Sequence, residues 1–170
     1  TDITERKRAE DDMQKLASIV RRSSELINLA TPDGKMTFLN EAGGKMLGID
    51  PEEANKYTIR DVLPDHLLPM VQTDILPTLM RGDSWEGELQ YRNIKTGKLT
   101  DVYAMAFAIT NPAERMPLLF ANVSRDITDR KQAQAELRSR EEHLKSIFEN
   151  ADEIIHLIAW DGTFLDISPA

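Results

Sequence analysis

The sequence predicts an α+β fold: a five-stranded antiparallel sheet with short helices on one face, flanked by long amphipathic helices. Three observations predict it. Two short strand-like segments flank Pro32-Asp33-Gly34, and three longer ones follow residue 84. Between the groups lies a Pro-interrupted helical stretch. The segment Trp85–Arg92 alternates cleanly, with Trp85, Leu89 and Tyr91 to one side and charges to the other.

Taken in order, residues 3–24 carry Ala9, Met13, Leu16 and Val20 at spacings of four, three and four. That narrow apolar seam on a charged helix reads either as a solvated helix lying on its own domain or as a parallel dimer seam. At this length the seam needs help from the rest of the domain to hold. Leu26–Thr31 and Lys35–Leu39 read as strands, joined by a turn in which Gly34 supplies a positive φ. Asn40 is placed to cap a helix over Glu41–Leu47 that Gly48 ends, and Pro51 opens a further helical turn. From Arg60 to Met80 the pattern is mostly helical, and Pro64, Pro69 and Pro77 are expected to break it into short pieces.

Leu99–Thr110 differs from Trp85–Arg92. Val102, Ala104, Ala106 and Ala108 share one face, and Tyr103, Met105, Phe107 and Ile109 the other. Both faces are apolar, so both are expected to be covered, the outer one by the residue 3–24 helix or by a second subunit. A last strand over Met116–Ser124 then leads into a helix over residues 127–149.

The net charge of −8 and pI near 4.9 argue against nucleic acid or an anionic membrane surface as partner. The absence of Cys excludes disulfides, thiolate metal sites, Cys nucleophiles and flavin–Cys adducts. No segment is apolar over a bilayer-spanning length and no signal peptide opens the chain, so the expected location is cytoplasmic.

The hexapeptide Asp126-Ile127-Thr128-Asp129-Arg130-Lys131 nearly repeats Asp2-Ile3-Thr4-Glu5-Arg6-Lys7, 124 positions earlier. A second block aligns at a shift of 128, pairing Leu29 with Leu157 and Asp33-Gly34 with Asp161-Gly162. The two offsets imply tandem domains of about 125 residues joined by helices. The expected organisation is a linker helix over 1–24, a domain over 25–126, an exit helix over 127–149, and the truncated start of a second copy over 150–170, cut from a larger protein.

At this point the chain resembles the PAS sensory domain. The matching pieces are Asp33-Gly34 between two strands, Phe38-Leu39-Asn40 before a helix ending Leu47-Gly48, Trp85-Glu86-Gly87-Glu88 opening the third strand, the Thr96-Gly97 turn, and the tail Ser124–Lys131. The resemblance implies a ligand pocket, where one is used, between sheet and helices, and an output such as a histidine kinase, a diguanylate cyclase or a phosphodiesterase elsewhere in the protein. Haem-binding members carry a His at a position that falls here near Val71, so no haem is expected. His66, on a Pro-rich turn, reads as a polar loop residue. With Trp85, Tyr57 and Tyr91 as its stacking partners, a non-covalent flavin is not expected either.

Little in the chain carries chemistry. His143 lacks the surroundings of a kinase phosphoacceptor. Asp11-Asp12, Glu52-Glu53 and Glu141-Glu142 are adjacent on helices and so point about 100° apart, not together as an acid/base pair would. No catalytic site and no metal site are expected. The expected pocket residues are Phe38, Tyr57, Leu89, Tyr91, Ala104, Ala106 and Ala121, with Leu29, Ile59, Leu63, Ile75, Leu79 and Val123 beside them. The Ala row either admits a small ligand or lets a helix pack closely. The expected signal junction is Asp126, Ile127, Thr128 and Arg130, where the last strand meets the exit helix. The expected partners are a second copy, through the flanking helices and the outer sheet face, the neighbouring domains of the same chain, and a small molecule. The alternative is a ligand-free dimerisation spacer.

Overall fold

The computed structural model describes residues 2–113 and 116–150, and the backbone of 156–158 and 164–167. The chain divides into two compact units, residues 1–128 and 129–170. In the first, helix α1 (Asp2–Arg22) precedes β1 (Leu26–Ala30) and β2 (Met36–Leu39), then α2 (Glu41–Leu47). After a series of short helical turns come β3 (Ser84–Arg92), β4 (Leu99–Thr110) and β5 (Pro117–Asp126). The strands form one antiparallel sheet in the order β2-β1-β5-β4-β3. This is the expected α+β architecture.

Local chemistry sets the element ends. Gly48 caps α2 in the left-handed region at φ 73°, where a side chain would also strike the Asn93 amide. Asn40, only 1% exposed, caps the other end and does more. Its Oδ1 accepts from the N–H groups of Gly43 and Ile27, each at 3.0 Å. Its Nδ2 donates to the carbonyls of Glu25 at 2.8 Å and Val20 at 3.1 Å. One buried amide thus ties the end of α1, the link to β1, β1 itself and α2 together.

Three expectations change. Pro69 and Pro77 do not break the helical stretch: α3 (Leu68–Met70), a π turn (Val71–Ile75) and α4 (Leu76–Met80) follow one another without interruption. Pro69 sits in a first turn, where its missing N–H has no partner to lose. Pro77 needs room against the carbonyl four residues back, Thr73, and that residue lies inside the widened π turn. Next, β5 runs on to Asp126, so the following helix, α5 (Thr128–Glu149), begins one residue later than expected and Ile127 stands between the two. Finally, the outer face of β4 is not covered by α1, none of whose residues is buried. Exposure there ranges from 37% at Ile109 to 45% at Met105.

The core lies between the sheet's inner face and the helices. Leu26, Met36, Leu47, Val62 and Val102 are sealed in it, each contributing about 2 kcal/mol relative to exposure. No helix among the described residues is long and apolar enough to cross a membrane.

In the second unit, α5 is laced by exposed i,i+4 pairs, Arg138–Glu142 and Arg140–Glu136 among them. The strands β6 (His156–Ile158) and β7 (Phe164–Ile167) pair antiparallel. The turn expected at Asp161-Gly162 lies outside the described residues. The β6/β7 register repeats that of β1/β2. Asn28 opposite Leu39, Leu29 opposite Phe38 and Ala30 opposite Met36 become, 128 positions on, His156 opposite Ile167, Leu157 opposite Asp166 and Ile158 opposite Phe164, with the irregularity at the same step.

Asn40→Ala strands two buried N–H groups and two carbonyls. It should lower unfolding stability by about 3 kcal/mol, measured by urea denaturation; a loss under about 1 kcal/mol would refute the role given to this side chain.

Candidate functional site

Between the inner face of the sheet and the helical run lies a cavity of about 380 Å³. Small side chains open it. Ala30, Ala104 and Ala106 stand where larger residues would fill the layer above β1 and β4. Opposite them, Leu68, Val71, Ile75 and Leu79, spaced three, four and four along the helical run, form an apolar wall. Trp85 closes one side. Its ring lies across Gly87, and its Nε1 donates to Asp74 Oδ2 at 3.1 Å, pinning β3 to the helical run. Asp33, Arg60 and Gln72 are the exposed members of the lining and mark its opening. The Thr31 hydroxyl donates to the Asp33 carboxylate and holds it below its ordinary value.

A polar cluster sits inside this apolar shell. Asn122 Nδ2 donates to Asn28 Oδ1 at 2.8 Å and to the Tyr91 hydroxyl at 3.0 Å. Ser124 Oγ donates to Asn122 Oδ1 at 3.2 Å and lies 3.3 Å from the Tyr91 hydroxyl. The sheet register explains the meeting: Asn28 is directly opposite Asn122, and Ser124 is two residues along on the same face. Burial pushes the Tyr91 phenol above its ordinary value, which its bonds with Ser124 and Asn122 partly offset.

Of the residues expected in the pocket, Leu89, Tyr91, Ala104, Ala106 and Ala121 line the cavity, as do Ile59, Leu63, Ile75 and Leu79. Phe38, Tyr57, Leu29 and Val123 do not. The inward residues of β1 are Leu26, Asn28 and Ala30, so Leu29 faces the other way, and Phe38, paired with it, follows. Val123 pairs with Ile27 and Met105 on the outer face. Tyr57 gives its carbonyl to Met36 N–H at 3.1 Å and packs on the core outside the lining. Ala121 shares the face of Phe107, so it borders the cavity from the outer register. Val71 is part of the wall, while His66 is exposed and outside it.

The junction is built at one corner of the sheet. Asp126 Oδ1 accepts from Thr128 N–H at 2.8 Å, fixing the first turn of the helix. Ile127 is 4% exposed and donates its N–H to the Asp101 carbonyl at 3.0 Å. Thr128 is half-buried, and Arg130 lies exposed in the first turn of α5. One residue earlier, Arg125 pairs with Glu25, Nη2 to Oε1 at 2.6 Å, joining the end of β5 to the approach of β1.

The polar cluster and the Glu25–Arg125 pair escape the sequence pattern. The available signal is that Asn28, Asn122 and Ser124 fall on the inward parity of apolar strands, where a polar side chain needs an explanation.

The family model described as the PAS fold matches residues 20–132. Among solved structures, the PAS domain of a protein from Colwellia psychrerythraea superposes with a TM-score of 0.62 at 15% identity, over 69% of this chain and 98% of that one. The PAS domain of an HTR-like protein from Haloarcula marismortui gives 0.60 at 19% identity, over 73% and 98%. A domain of a sensory box sensor histidine kinase/response regulator from Geobacter sulfurreducens gives 0.55 at 13%, over 68% and 94%. No curated protein matches the sequence.

The raised phenol sets a pH dependence. Its contribution to stability is complete below the ordinary phenol value of about 10 and is lost as pH rises through the higher folded value, because the unfolded chain gives up the proton first. Tyr91→Phe should therefore cost about 1 kcal/mol near neutrality, through lost hydrogen bonds, and flatten the alkaline loss of stability in urea unfolding followed from pH 8 to 11. An unchanged alkaline slope would count against it.

Proposed function

Because this chain belongs to the PAS fold family, we propose that residues 20–126 are the sensory and relay module of a multi-domain signalling protein, most simply a sensor histidine kinase. The module takes a small molecule in the cavity and passes its state to the flanking helices. One observation carries this reading: the cavity's polar cluster ends at Ser124, two residues before the capping carboxylate of Asp126. A ligand that shifts Tyr91 or Asn122 displaces Ser124, and the same strand then carries Arg125 against Glu25 and Asp126 against the helix start. Both helices are thereby biased by one local change, as a two-state relay requires. The matching β1/β2 and β6/β7 registers support a second copy of the module beginning near residue 150. The Geobacter sulfurreducens neighbour supports the kinase setting, with a diguanylate cyclase or phosphodiesterase as the other outputs of this class.

In the longer protein, Asp126→Ala should leave ligand binding intact and abolish the signal-dependent change in output activity. Unaltered output with an unaltered response would sink the relay.

A second reading rests on the exposed Tyr103, Met105, Phe107 and Ile109 and on the Met13, Leu16 and Ile19 side chains of α1. These surfaces suit a second copy of the chain, which makes the module a dimerisation spacer. Light scattering should then give the mass of a dimer, and Phe107→Glu that of a monomer. A wild-type monomer at high concentration rejects this reading.

A further inference from the structure

Asn28 is 3% exposed and lines the cavity, and its Oδ1 is already taken by Asn122. Its Nδ2 donates to no protein atom among the described residues. Every fully enclosed side-chain N or O of the described residues is hydrogen-bonded, so this amide nitrogen touches open space, and the open space beside it is the cavity. Ser124 donates to Asn122, Asn122 donates to Asn28, and the chain of donors ends at the Asn28 NH₂. A ligand that displaces water from this donor without offering an acceptor leaves it unpaired, at a cost of roughly 1–3 kcal/mol, so the site favours a ligand that carries one.

We infer that the cavity takes a neutral, largely hydrocarbon or aromatic molecule whose leading end carries a carbonyl or comparable acceptor oxygen, received by Asn28 Nδ2. This rests on the cavity being the sensory site. Charge at the leading end is excluded by the surroundings. The charged members of the lining, Asp33 and Arg60, are exposed at the opening, and the wall around Asn28 offers only the neutral, mutually bonded Asn122 and Tyr91 beside Ala30, Ala106 and Phe120. An ion held there would be desolvated without compensation. Size follows from volume: 380 Å³ filled at interior packing density holds roughly 15 non-hydrogen atoms. That is a two-ring compound or a medium-length chain.

The test uses the 170-residue chain and two probes of nearly one shape, 2-acetylnaphthalene and 2-isopropenylnaphthalene, which differ by an oxygen in place of a methylene. Binding is measured by equilibrium dialysis, and the carbonyl stretch of the bound ketone by infrared spectroscopy. Both probes should bind, and Ala106→Leu, which fills the cavity, should abolish both. The ratio of hydrocarbon Kd to ketone Kd should be about fivefold larger in the wild type than in Asn28→Leu, the worth of one hydrogen bond. The bound carbonyl band should lie at the lower frequency found in hydrogen-bonding solvents, a readout that needs no variant to fold. A ratio unmoved by Asn28→Leu, or a band at its hydrocarbon-solvent position, overturns the assignment of Asn28 and leaves the cavity reading standing. Failure of both probes, or binding that survives Ala106→Leu, overturns the cavity as a small-molecule site together with this inference.

Discussion

The Asn40 side chain holds together the corner of the first unit where α1, β1 and α2 meet. A helix leaving a sheet must normally find partners for its first N–H groups, and a strand at a corner must find partners for its own. Here one amide serves both needs and also reaches back to α1 and the link after it. Hydrophobic burial drives the collapse of the sheet onto its helices, but burial is non-directional. Two of these four directed bonds, to the Val20 and Glu25 carbonyls, tie the leading segment to the domain. A first helix that buries none of its own residues is thus still bonded to the domain through its last turn.

The cavity depends on a different balance. Three alanines on two strands remove volume, while the helical wall runs uninterrupted through the π turn and is held to β3 by the Trp85–Asp74 bond. Space is therefore maintained by directional contacts around its edge. Within that space the polar residues are grouped, not scattered, and they lie on β1, β3 and β5, two of which meet at the corner where the chain enters and leaves the sheet. Asn28, Tyr91 and Asn122 line the cavity, and Ser124, bonded to two of them, lies at that corner.

Much of this was legible in the residues. The nine and twelve residues of β3 and β4 are long enough for a period of two to declare itself, and the inward set Leu89, Tyr91, Ala104 and Ala106 follows from it. Asn40 and Gly48 announce the ends of α2 by their own chemistry. What failed was parity in the short strands. In β1, Leu26, Ile27 and Leu29 are apolar on both sides of the ribbon, and five residues cannot decide which side is inward. An Asn at the middle then reads as outward, and the error carries to Phe38 through pairing and reappears at Val123 in β5. Proline signals misled for another reason. A proline breaks a helix only when the carbonyl four residues back cannot move, and nothing in a linear pattern tells of a π turn placed to let it.

The pairing of Leu26 with Ser124 places the first residue of the sheet beside one of its last. Neighbouring strands are about 5 Å apart, so the chain enters and leaves this domain at almost one point. A module so arranged is a detour in the polypeptide. A segment so arranged can be inserted or deleted with little change in the distance between the chain on either side of it.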